Sequence, residues 1–477
     1  MAAAPEGPLV AGIDSSTQAT KALLVDSATG EVVAHGRAGH AVDTSVGSET
    51  DPEVWWEALH TALARCGPQV RRVSAVSVAG QQHGLVTLDR QGRPVRPALL
   101  WNDVRSAPQR DRLVAELGGP AAWARRTGSV PAPAFTVTKW AWLRENEPES
   151  ADATAAVRLP HDFLTERLSG TAATDRGDAS GTGWWDGESY HSGTLDHVGL
   201  SSALLPRVLG HGEAAGTVRE GLPLPAGTLV ATGTGDNMAA AVGLGLRPGQ
   251  AVLSLGTSGT VYAVSATRPA DTSGTVAGFA DAGTAWLPLA CTLNCTLAVD
   301  RLAALLGRSR EDVEPGGTAT LLPYLDGERT PDLPYASGLL HGLRHDTSAG
   351  QVLQAAYDGA VFTLLGALDR VLGAGGTAAD DTPLLLIGGG ARGRAWQDTV
   401  RRLSGRPVQV PRAEEPVALG AAAQAAGLLL GEDPYAVARR WSAADGPSHP
   451  AVPRDDDALD RLARTLAAAD TLLGRPA

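Results

Sequence analysis

Two stretches of this chain, about half its length apart, repeat one strand–turn–strand pattern. Val10–Thr17 and Val252–Thr257 each consist of an apolar strand and a turn of Gly, Ser and Thr that carries a Thr at its tip. A second apolar strand follows each turn, at Lys21–Asp26 and Thr260–Ser265. A repeat at this spacing predicts two similar α/β domains, each with one small-residue loop that faces a shared cleft.

The length and composition limit the classes of protein to which this chain can belong. At 477 residues it is too long for one hydrophobic core, so at least two domains are expected. The net charge of −12 argues against nucleic acid as a partner, because nucleic-acid binding needs a basic surface. The sequence has no run of about 18 uncharged apolar residues that could span a membrane, and Met1–Pro8 lacks the features of a signal peptide. With three cysteines in the whole chain, we expect a reducing, cytoplasmic location.

The stretch ATGTGDN at Ala231–Asn237 holds the residues best suited to catalysis. Asp236 and Asn237 stand at the head of a predicted small-residue helix, directly after a glycine-rich turn. Glycine tolerates φ > 0 and lets backbone amides approach a phosphate, and a carboxylate beside such a turn can accept a proton from a hydroxyl. The pattern therefore predicts a site that phosphorylates a hydroxyl group, although a turn with an N-capping Asp would look the same.

Asp14 ends the first predicted strand and is followed by a turn rich in hydroxyl groups. Mg²⁺ prefers hard oxygen ligands and retains part of its hydration shell, so Asp14 is a candidate to hold Mg²⁺ directly or through water. The same residue also fits a purely structural Asx-turn. The sequence has no P-loop of the form GxxxxGK[ST], so a nucleotide would have to be held between the two small-residue loops.

Polar groups suited to a sugar follow two further predicted strands, in Gly80–Gly84 (GQQHG) and in Asn102–Arg105 (NDVR). Several hydrogen-bonding side chains in one place are what a polyol requires. His83 is a candidate to face the substrate, although a lone His is more often structural. Thr174–Asp186 is rich in Gly, Asp and Ser and ends in two Trp and an Asp. We expect it to be a solvated loop, with a cover over a sugar as the alternative.

Two other patterns have competing explanations. Cys291 and Cys295 are four residues apart in a predicted helix, Cys291–Leu306, and the lack of a second ligand pair favours buried thiols over zinc. Gly388–Gly393 satisfies the dinucleotide motif GxGxxG, follows a predicted strand, and has the pair Glu414–Glu415 about 20 residues further on. No long βαβ series follows it, however, and the same glycines would suit a backbone that passes over an adenosine.

The combination of motifs resembles the FGGY carbohydrate kinases, which are members of the actin-like ATPase superfamily. The resemblance runs over residues 10–430. The family's C-terminal signature is met by GLLHGL at Gly338–Leu343 and, after seven residues, by QVLQAAYD at Gln351–Asp358. The N-terminal signature departs only at Ala134, and the residues that meet it are Thr136, Lys139, Trp142, Leu143, Glu145 and Asn146. The segments GQQHG, WND, GDN and GERTP are most similar to the members that phosphorylate D-xylulose.

The resemblance implies an α/β fold of two actin-like (ribonuclease H-like) domains, with a cleft for nucleotide and sugar between them. We expect a mainly sugar-binding domain at residues 1–245, a mainly ATP-binding domain at 246–440 and a helical tail at 441–477. The glycines of Gly243–Gly249 are the expected hinge between the domains. The implied activity is ATP-dependent, Mg²⁺-assisted phosphorylation of D-xylulose. The implied partners are the sugar and ATP, without nucleic acid or membrane, and a homodimer is left open.

The resemblance also assigns roles to individual residues. Asp236 matches the catalytic base, and Asp14 matches the aspartate associated with metal and phosphate, so both are expected to be catalytic. The expected sugar-binding residues are Gln82, His83, Asn102, Asp103, Asp236 and Asn237. The expected nucleotide-binding residues are Thr17, Lys21, Gly256, Thr257, Ser258, Gly388, Gly389, Gly390 and Ala391. Two departures from the family pattern stand in these loops, because Ser16 replaces a usual Gly and Gln82 replaces a usual Met.

Three alternatives stay open at this point. The nearest is an FGGY kinase for another ketose or a polyol, which a panel of sugars would distinguish. A non-kinase actin-like ATPase would hydrolyse ATP without any sugar, and the sugar-facing groups at His83 and Asn102–Asp103 count against it. A dinucleotide oxidoreductase would bind NAD and show no dependence on ATP.

Overall fold

The computed structural model describes residues 7–42, 47–376 and 382–474. The outer limits of the expected domains, residues 1 and 477, and most of the segment compared with a signal peptide lie outside these ranges. Within them the chain forms two α/β halves, each built on a seven-stranded sheet.

The N-terminal half ends with a short helix that begins at the predicted catalytic Asp. Its strands are β1 (Leu9–Ser15), β2 (Ala19–Asp26), β3 (Val32–Gly39), β4 (Glu49–Thr50), β5 (Val73–Gly80), β6 (Val86–Leu88), β7 (Ala98–Leu99), β8 (Ala156–Arg158), β9 (Ala173–Asp175), β10 (Arg207–Leu209), β11 (Ala214–Thr217), β12 (Leu229–Ala231) and β13 (Thr234–Gly235). Its helices are α1 (Pro52–Arg65), α2 (Ala107–Glu116), α3 (Gly119–Thr127), α4 (Thr136–Asn146), α5 (Pro148–Ala153), α6 (Pro160–Ser169), α7 (Arg176–Ala179), α8 (Ser192–His197) and α9 (Asp236–Gly243), with 3₁₀ helices at Gly67–Arg72 and Ser202–Leu204.

The C-terminal half starts with the second copy of the repeated pattern. Its strands are β14 (Ala251–Leu255), β15 (Gly259–Ala263), β16 (Ala277–Ala280), β17 (Trp286–Thr292), β18 (Thr320–Leu322), β19 (Leu339–His341), β20 (Leu384–Ile387), β21 (Val408–Gln409) and β22 (Ser448–His449). Its helices are α10 (Thr296–Leu305), α11 (Ala349–Ala374), α12 (Arg394–Ser404), α13 (Pro416–Leu430), α14 (Pro434–Arg440), α15 (Asp456–Ala468) and α16 (Asp470–Leu473).

Both large sheets share one topology. In the N-terminal sheet, β1, β2 and β3 are antiparallel neighbours, and β5 and then β12 continue the sheet parallel to β1. In the C-terminal sheet, β14, β15 and β17 form the antiparallel part, and β20 and then β21 continue it parallel to β14. The predicted strand–turn–strand repeat is therefore confirmed, and each copy begins the antiparallel part of one sheet.

The two halves meet through helices α9 and α13, which pack backbone against backbone. A Cβ atom at Gly420 of α13 would lie 1.8 Å from the carbonyl oxygen of Ala239 in α9. α13 also lies on the N-terminal sheet, since a Cβ at Gly12 would be 2.0 Å from the carbonyl oxygen of Ala418. Glycine is required at both positions, and the buried alanines of α13 allow close packing along the rest of the helix.

The helix predicted at Cys291–Leu306 is wrong at its start. Cys291 lies in β17, where it pairs with Thr260 of β15, and α10 begins only at Thr296. Pairing within the sheet therefore overrides the local helical pattern. Cys291 and Cys295 do not share a helix face, and both thiols are free.

The stretch Thr174–Asp186 is not the solvated loop that its polarity suggested. It contains β9 and α7, and most of its residues are buried. Asp175 caps α7 by accepting hydrogen bonds from the backbone N–H groups of Gly177 and Asp178, at 3.0 and 2.9 Å. The carboxylate of Asp175 therefore satisfies a buried helix end, which explains one of the polar residues in this stretch.

The expected helical tail, in its described part, packs on the C-terminal half and contains two helices, α15 and α16. Leu462, Ala469 and Leu473 form a small apolar cluster with Leu322 and Tyr324 around β18. The division expected between residues 245 and 246 falls in the connection from α9 to β14, and the domain limits and the hinge stay predictions. Across the described ranges, no helix has both the length and the apolar character needed to cross a membrane.

Candidate active site

The loops predicted to bind sugar and phosphate in the N-terminal half emerge at one edge of the sheet. β1, β5 and β13 are parallel there, and Gly80 is paired with both Ser15 and Gly235. Because the carboxyl ends of these strands coincide, the structure brings together residues at or just after those ends: Asp14, Gln82, His83, Asp236 and Asn237. Ligands of α/β sheets bind outside this edge.

The predicted nucleotide loops of the C-terminal half also lie side by side. Gly388–Ala391 follows β20, and Gly256–Ser258 follows the parallel strand β14. The backbone N–H of Gly390 donates to the carbonyl oxygen of Leu255 at 2.9 Å. Gly388 has φ of +86° and leaves no room for a Cβ, whereas Gly389 is exposed, with open space around it. The backbone in these two loops is therefore open to a ligand.

Thr296 supports the loop Gly256–Ser258 and was not among the residues predicted from the sequence. Its N–H and Oγ1 both donate to the carbonyl oxygen of Gly256, at 3.0 and 2.7 Å. Thr296 is the first residue of α10, and the wrong start predicted for this helix hid its role.

Asp236 is partly exposed at the start of α9, and its two carboxylate oxygens differ. Oδ1 accepts the backbone N–H of Asn237 at 2.8 Å and its Nδ2 at 2.9 Å. Within the described ranges, no side chain donates a hydrogen bond to Oδ2. Burial raises the pKa of Asp236 to about 7, and the negative charge of Asp14 adds to the shift. An unoccupied carboxylate oxygen with a pKa near neutrality suits a general base.

Asp14 is almost fully buried near the end of β1, beside the loop that leads to Thr17. Ser16 Oγ donates to Asp14 Oδ1 at 2.6 Å, and Lys21 Nζ lies 3.5 Å from Oδ2. Burial raises the pKa of Asp14, while the bond from Ser16 and the charge of Lys21 act against this shift. Among the described residues, no group of three or more His, Cys, Asp or Glu could hold a metal ion. A single carboxylate fits Mg²⁺, which takes its other oxygens from water and phosphate.

His83 lies between the two halves in an unusual backbone conformation, with φ of +66°. Its Nδ1 is 2.8 Å from the carbonyl oxygen of Gly181, and its ring stacks on Phe135 with centroids 4.7 Å apart. Burial lowers the pKa of His83 to about 3, and the charges of Lys139 and Arg329 add to the effect. The imidazole is therefore neutral at pH 7. Nδ1 carries the proton, because the carbonyl only accepts, and Nε2 is a hydrogen-bond acceptor.

The Asn102–Asp103 segment does not share the sheet edge. Asn102 is exposed, whereas Asp103 is buried and accepts bonds from Arg105 Nη2 at 2.8 Å and the backbone N–H of Ser48 at 2.8 Å. Burial acts to raise the pKa of Asp103, but these bonds hold it below its usual value. Trp101 Nε1 donates to Thr17 Oγ1 at 3.0 Å, so the residue before this segment contacts the loop between β1 and β2.

A buried acidic cluster next to the site was missed by the sequence analysis. His161 Nε2 lies 3.2 Å from Asp162 Oδ1, 3.2 Å from Asp178 Oδ2 and 3.6 Å from Asp175 Oδ1. Burial raises the pKa of Asp162 to about 7 and that of Asp175 to about 6, and it lowers that of His161 to about 3. Burial and the neighbouring carboxylates raise the pKa of Asp178 well above its usual value. Asp175 and Asp178 belong to the polar stretch Thr174–Asp186, whereas His161 and Asp162 come from α6.

The family comparison decides what kind of site this is. Residues 9–243 match the N-terminal domain of the FGGY family of carbohydrate kinases, and residues 251–428 match its C-terminal domain. This chain is an FGGY carbohydrate kinase. The resemblance drawn from the signatures is confirmed, and so is the expected α/β fold of two actin-like, ribonuclease H-like domains.

Curated and solved relatives of this FGGY kinase extend over its whole length. A xylulose kinase from Streptomyces coelicolor is 69% identical over 478 residues, which cover 99% of this chain and 99% of that protein. A xylulose kinase from Streptomyces rubiginosus is 69% identical over 476 residues, which cover 99% and 98%. The crystal structure of xylulose kinase from Bifidobacterium adolescentis has 35% identity and a TM-score of 0.84, and the match covers 96% of this chain and 99% of that one.

Proposed function

We propose that this FGGY kinase transfers the terminal phosphoryl group of ATP to the terminal hydroxyl of D-xylulose and forms D-xylulose 5-phosphate. The observation that carries the substrate assignment is the 69% identity to two curated xylulose kinases over the full chain. The partly exposed Asp236, with one unengaged carboxylate oxygen, supports the chemistry.

Asp236 acts as the general base in this proposal. Asn237 holds Oδ1 through two hydrogen bonds, so Oδ2 is directed to accept the proton of the attacking hydroxyl. With a pKa near 7, the carboxylate is ionised in a large share of molecules at neutral pH, yet it is basic enough to take the proton as the new P–O bond forms. Phosphoryl transfer passes through a loose transition state, so alignment of the hydroxyl matters more than its deprotonation in the ground state.

The triphosphate lies between the two repeated loops. Backbone N–H groups around Thr17 and at Gly256–Ser258 donate to the phosphate oxygens, and Lys21 adds a positive charge. Gly388–Ala391 passes over the adenosine. Mg²⁺ held at Asp14 would neutralise the negative charge that develops on the phosphate oxygens.

The sugar lies against the N-terminal half. His83 Nε2 accepts a hydrogen bond from one hydroxyl, and Asn237 Oδ1 is available to a second. Asn102 and Asp103 complete the proposed sugar-binding residues, and Gln82 contributes indirectly, by accepting a hydrogen bond from Asn237 Nδ2. Closure about Gly243–Gly249 excludes water, which would otherwise compete with the sugar as acceptor. A cytoplasmic location accords with three free thiols among the described residues.

The test is release of ADP with a panel of acceptors: D-xylulose, other pentuloses and hexuloses, xylitol and glycerol, with a reaction lacking sugar. We expect the highest kcat/KM with D-xylulose and little turnover without sugar. A higher value for another ketose or polyol would reassign the substrate within the family. Equal ADP release with and without sugar would reject the kinase proposal.

A further inference from the structure

Gln82 makes a hydrogen bond that bears directly on the catalytic carboxylate. Its Oε1 accepts from Asn237 Nδ2 at 2.9 Å, and the same Nδ2 donates to Asp236 Oδ1 at 2.9 Å. Both N–H groups of the Asn237 carboxamide are therefore engaged within the chain. Because the ionised carboxylate of Asp236 only accepts, Asn237 must turn its nitrogen, and not its oxygen, toward it.

Gln82 is itself held in place. Its side chain is 5% exposed, so it has little surface to offer to a sugar. Gly235 makes room for it, since a Cβ there would lie 2.7 Å from Gln82 Cγ. On the other side lies Asp178, and the amide of Gln82 is close enough to lower the pKa of that carboxyl, against the larger effect of burial. A buried side chain fixed by packing can hold a neighbour precisely.

We infer that Gln82 is a positioning residue, which orients Asn237 and through it the catalytic Asp236. One amide hydrogen of Asn237 is fixed on Gln82 and the other on Asp236 Oδ1. Asp236 Oδ2 is then left for the reacting hydroxyl, and Asn237 Oδ1 for another hydroxyl of the sugar. The inference rests on the proposed sugar kinase function. It replaces direct sugar contact as the role of residue 82, where a Met could not accept the bond.

The first test is Gln82→Met, which keeps the approximate size of the side chain and removes the acceptor. With D-xylulose we expect kcat to fall about tenfold while the sugar KM changes less than about threefold, because a loosened base misaligns the reacting atoms. A direct sugar contact would give the opposite result, with a raised KM and an almost unchanged kcat. That result would overturn the inference.

A double-mutant cycle with Asn237→Ala provides the second measurement. If Gln82 acts only through Asn237, Gln82→Met should lower kcat by less than about twofold in the Asn237→Ala background, because the shared partner is already lost. Multiplicative losses would show independent action and would overturn the inference. A general structural role for Gln82 also predicts multiplicative losses, so the cycle separates positioning from folding defects.

The wild-type chain is measured in the same ADP assay. A wild type that responds to no sugar contradicts the proposed function, and the inference falls with it. An active wild type together with an unimpaired Gln82→Met variant overturns the inference alone.

Discussion

The ammonium group of Lys21 lies 2.5 Å from the carboxylate of Glu415, and this contact joins β2 of one half to the residue that precedes α13 of the other. The same ammonium is 3.5 Å from Asp14 Oδ2. A phosphate that binds at the first loop would compete with Glu415 for Lys21. The ion pair therefore occupies a proposed nucleotide contact at the boundary between the halves.

Lys21 has two proposed roles, as a contact for the nucleotide phosphate and as a partner of Glu415 in the ion pair between the halves. Replacing Lys21 and Glu415 separately should distinguish them. Lys21→Met is expected to raise the KM for ATP about tenfold, since one charge-assisted contact to phosphate is lost. Glu415→Gln should leave the KM for ATP no higher than in the wild type. This substitution should also change the free energy of unfolding by less than about 1 kcal/mol, because the ion pair is partly exposed. Steady-state kinetics over a range of ATP concentrations, with thermal unfolding, give both quantities. An unchanged KM for ATP in Lys21→Met would remove Lys21 from the nucleotide site.

Asp236→Asn should abolish most turnover and preserve sugar binding. Asn keeps an oxygen for the donors of Asn237 but cannot accept the proton, so kcat is expected to fall at least about 100-fold. Sugar affinity is measured by calorimetry, and kcat by ADP release. Asp152→Asn is the matched control, because that side chain is 79% exposed and makes one long ion pair with Arg144. Retained turnover in Asp236→Asn would exclude this residue as the base.

The activity should depend on pH through the same carboxylate. The pKa of Asp236 is about 7, so protonation should reduce kcat/KM about tenfold for each pH unit below 7. Because the charge of Asp14 helps to raise this pKa, residual activity of Asp14→Asn should show the acid limb displaced to lower pH. A pH–rate profile for both proteins tests this, and an acid limb of Asp14→Asn that stays in place would contradict it.

The sequence predicted the parts of the site that rest on strand ends and glycines. Asp14, Gly256 and Gly388 were recognisable because a strand that delivers a small-residue turn has a local signature. Asp178 and Thr296 were not, because their burial depends on contacts between segments distant in the chain. Polarity alone made the stretch around Asp178 look solvated, whereas the fold packs it against α9, where a Cβ at Gly177 would lie 3.0 Å from Met238 Cγ.

Asp178 should make stability depend on pH. Its pKa is raised in the folded state above the 3.8 of an exposed Asp, so the folded chain binds the extra proton, and the stability it contributes is lost as pH rises from 3.8 to the folded pKa. Asp178→Asn removes this loss. Relative to the wild type, the free energy of unfolding of Asp178→Asn should rise by up to about 1.4 kcal/mol for each pH unit within that interval.

Chemical denaturation of the wild type and of Asp178→Asn at pH 5 and pH 8 measures this difference in the free energy of unfolding. Asp26→Asn is the control. Asp26 accepts hydrogen bonds from Gly7, Ala28 and Thr29, and the pKa of Asp26 is lowered although burial acts to raise it. Its contribution is complete above pH 3.8 and lost only as pH falls through the folded pKa. The effect of Asp26→Asn should therefore be equal at both pH values. An Asp178→Asn effect equally independent of pH would show that this carboxyl is ionised in the folded chain.

The crossing of α9 and α13 should tolerate no side chain at Gly420. A Cβ there would lie 1.8 Å from the carbonyl oxygen of Ala239, which is backbone and cannot move aside alone. We expect Gly420→Ala to destabilise the chain by about 3 kcal/mol or more, the upper range for overpacking.

Gly366 in α11 is the matched control, since nothing lies within 4 Å of a Cβ at that position. There the same change should stabilise the chain by about 0.8 kcal/mol, the difference in helix propensity between Gly and Ala. Chemical denaturation of both variants measures whether each substitution lowers or raises the free energy of unfolding. A neutral Gly420→Ala would mean that the helices separate easily, and the halves would then not be coupled through this contact.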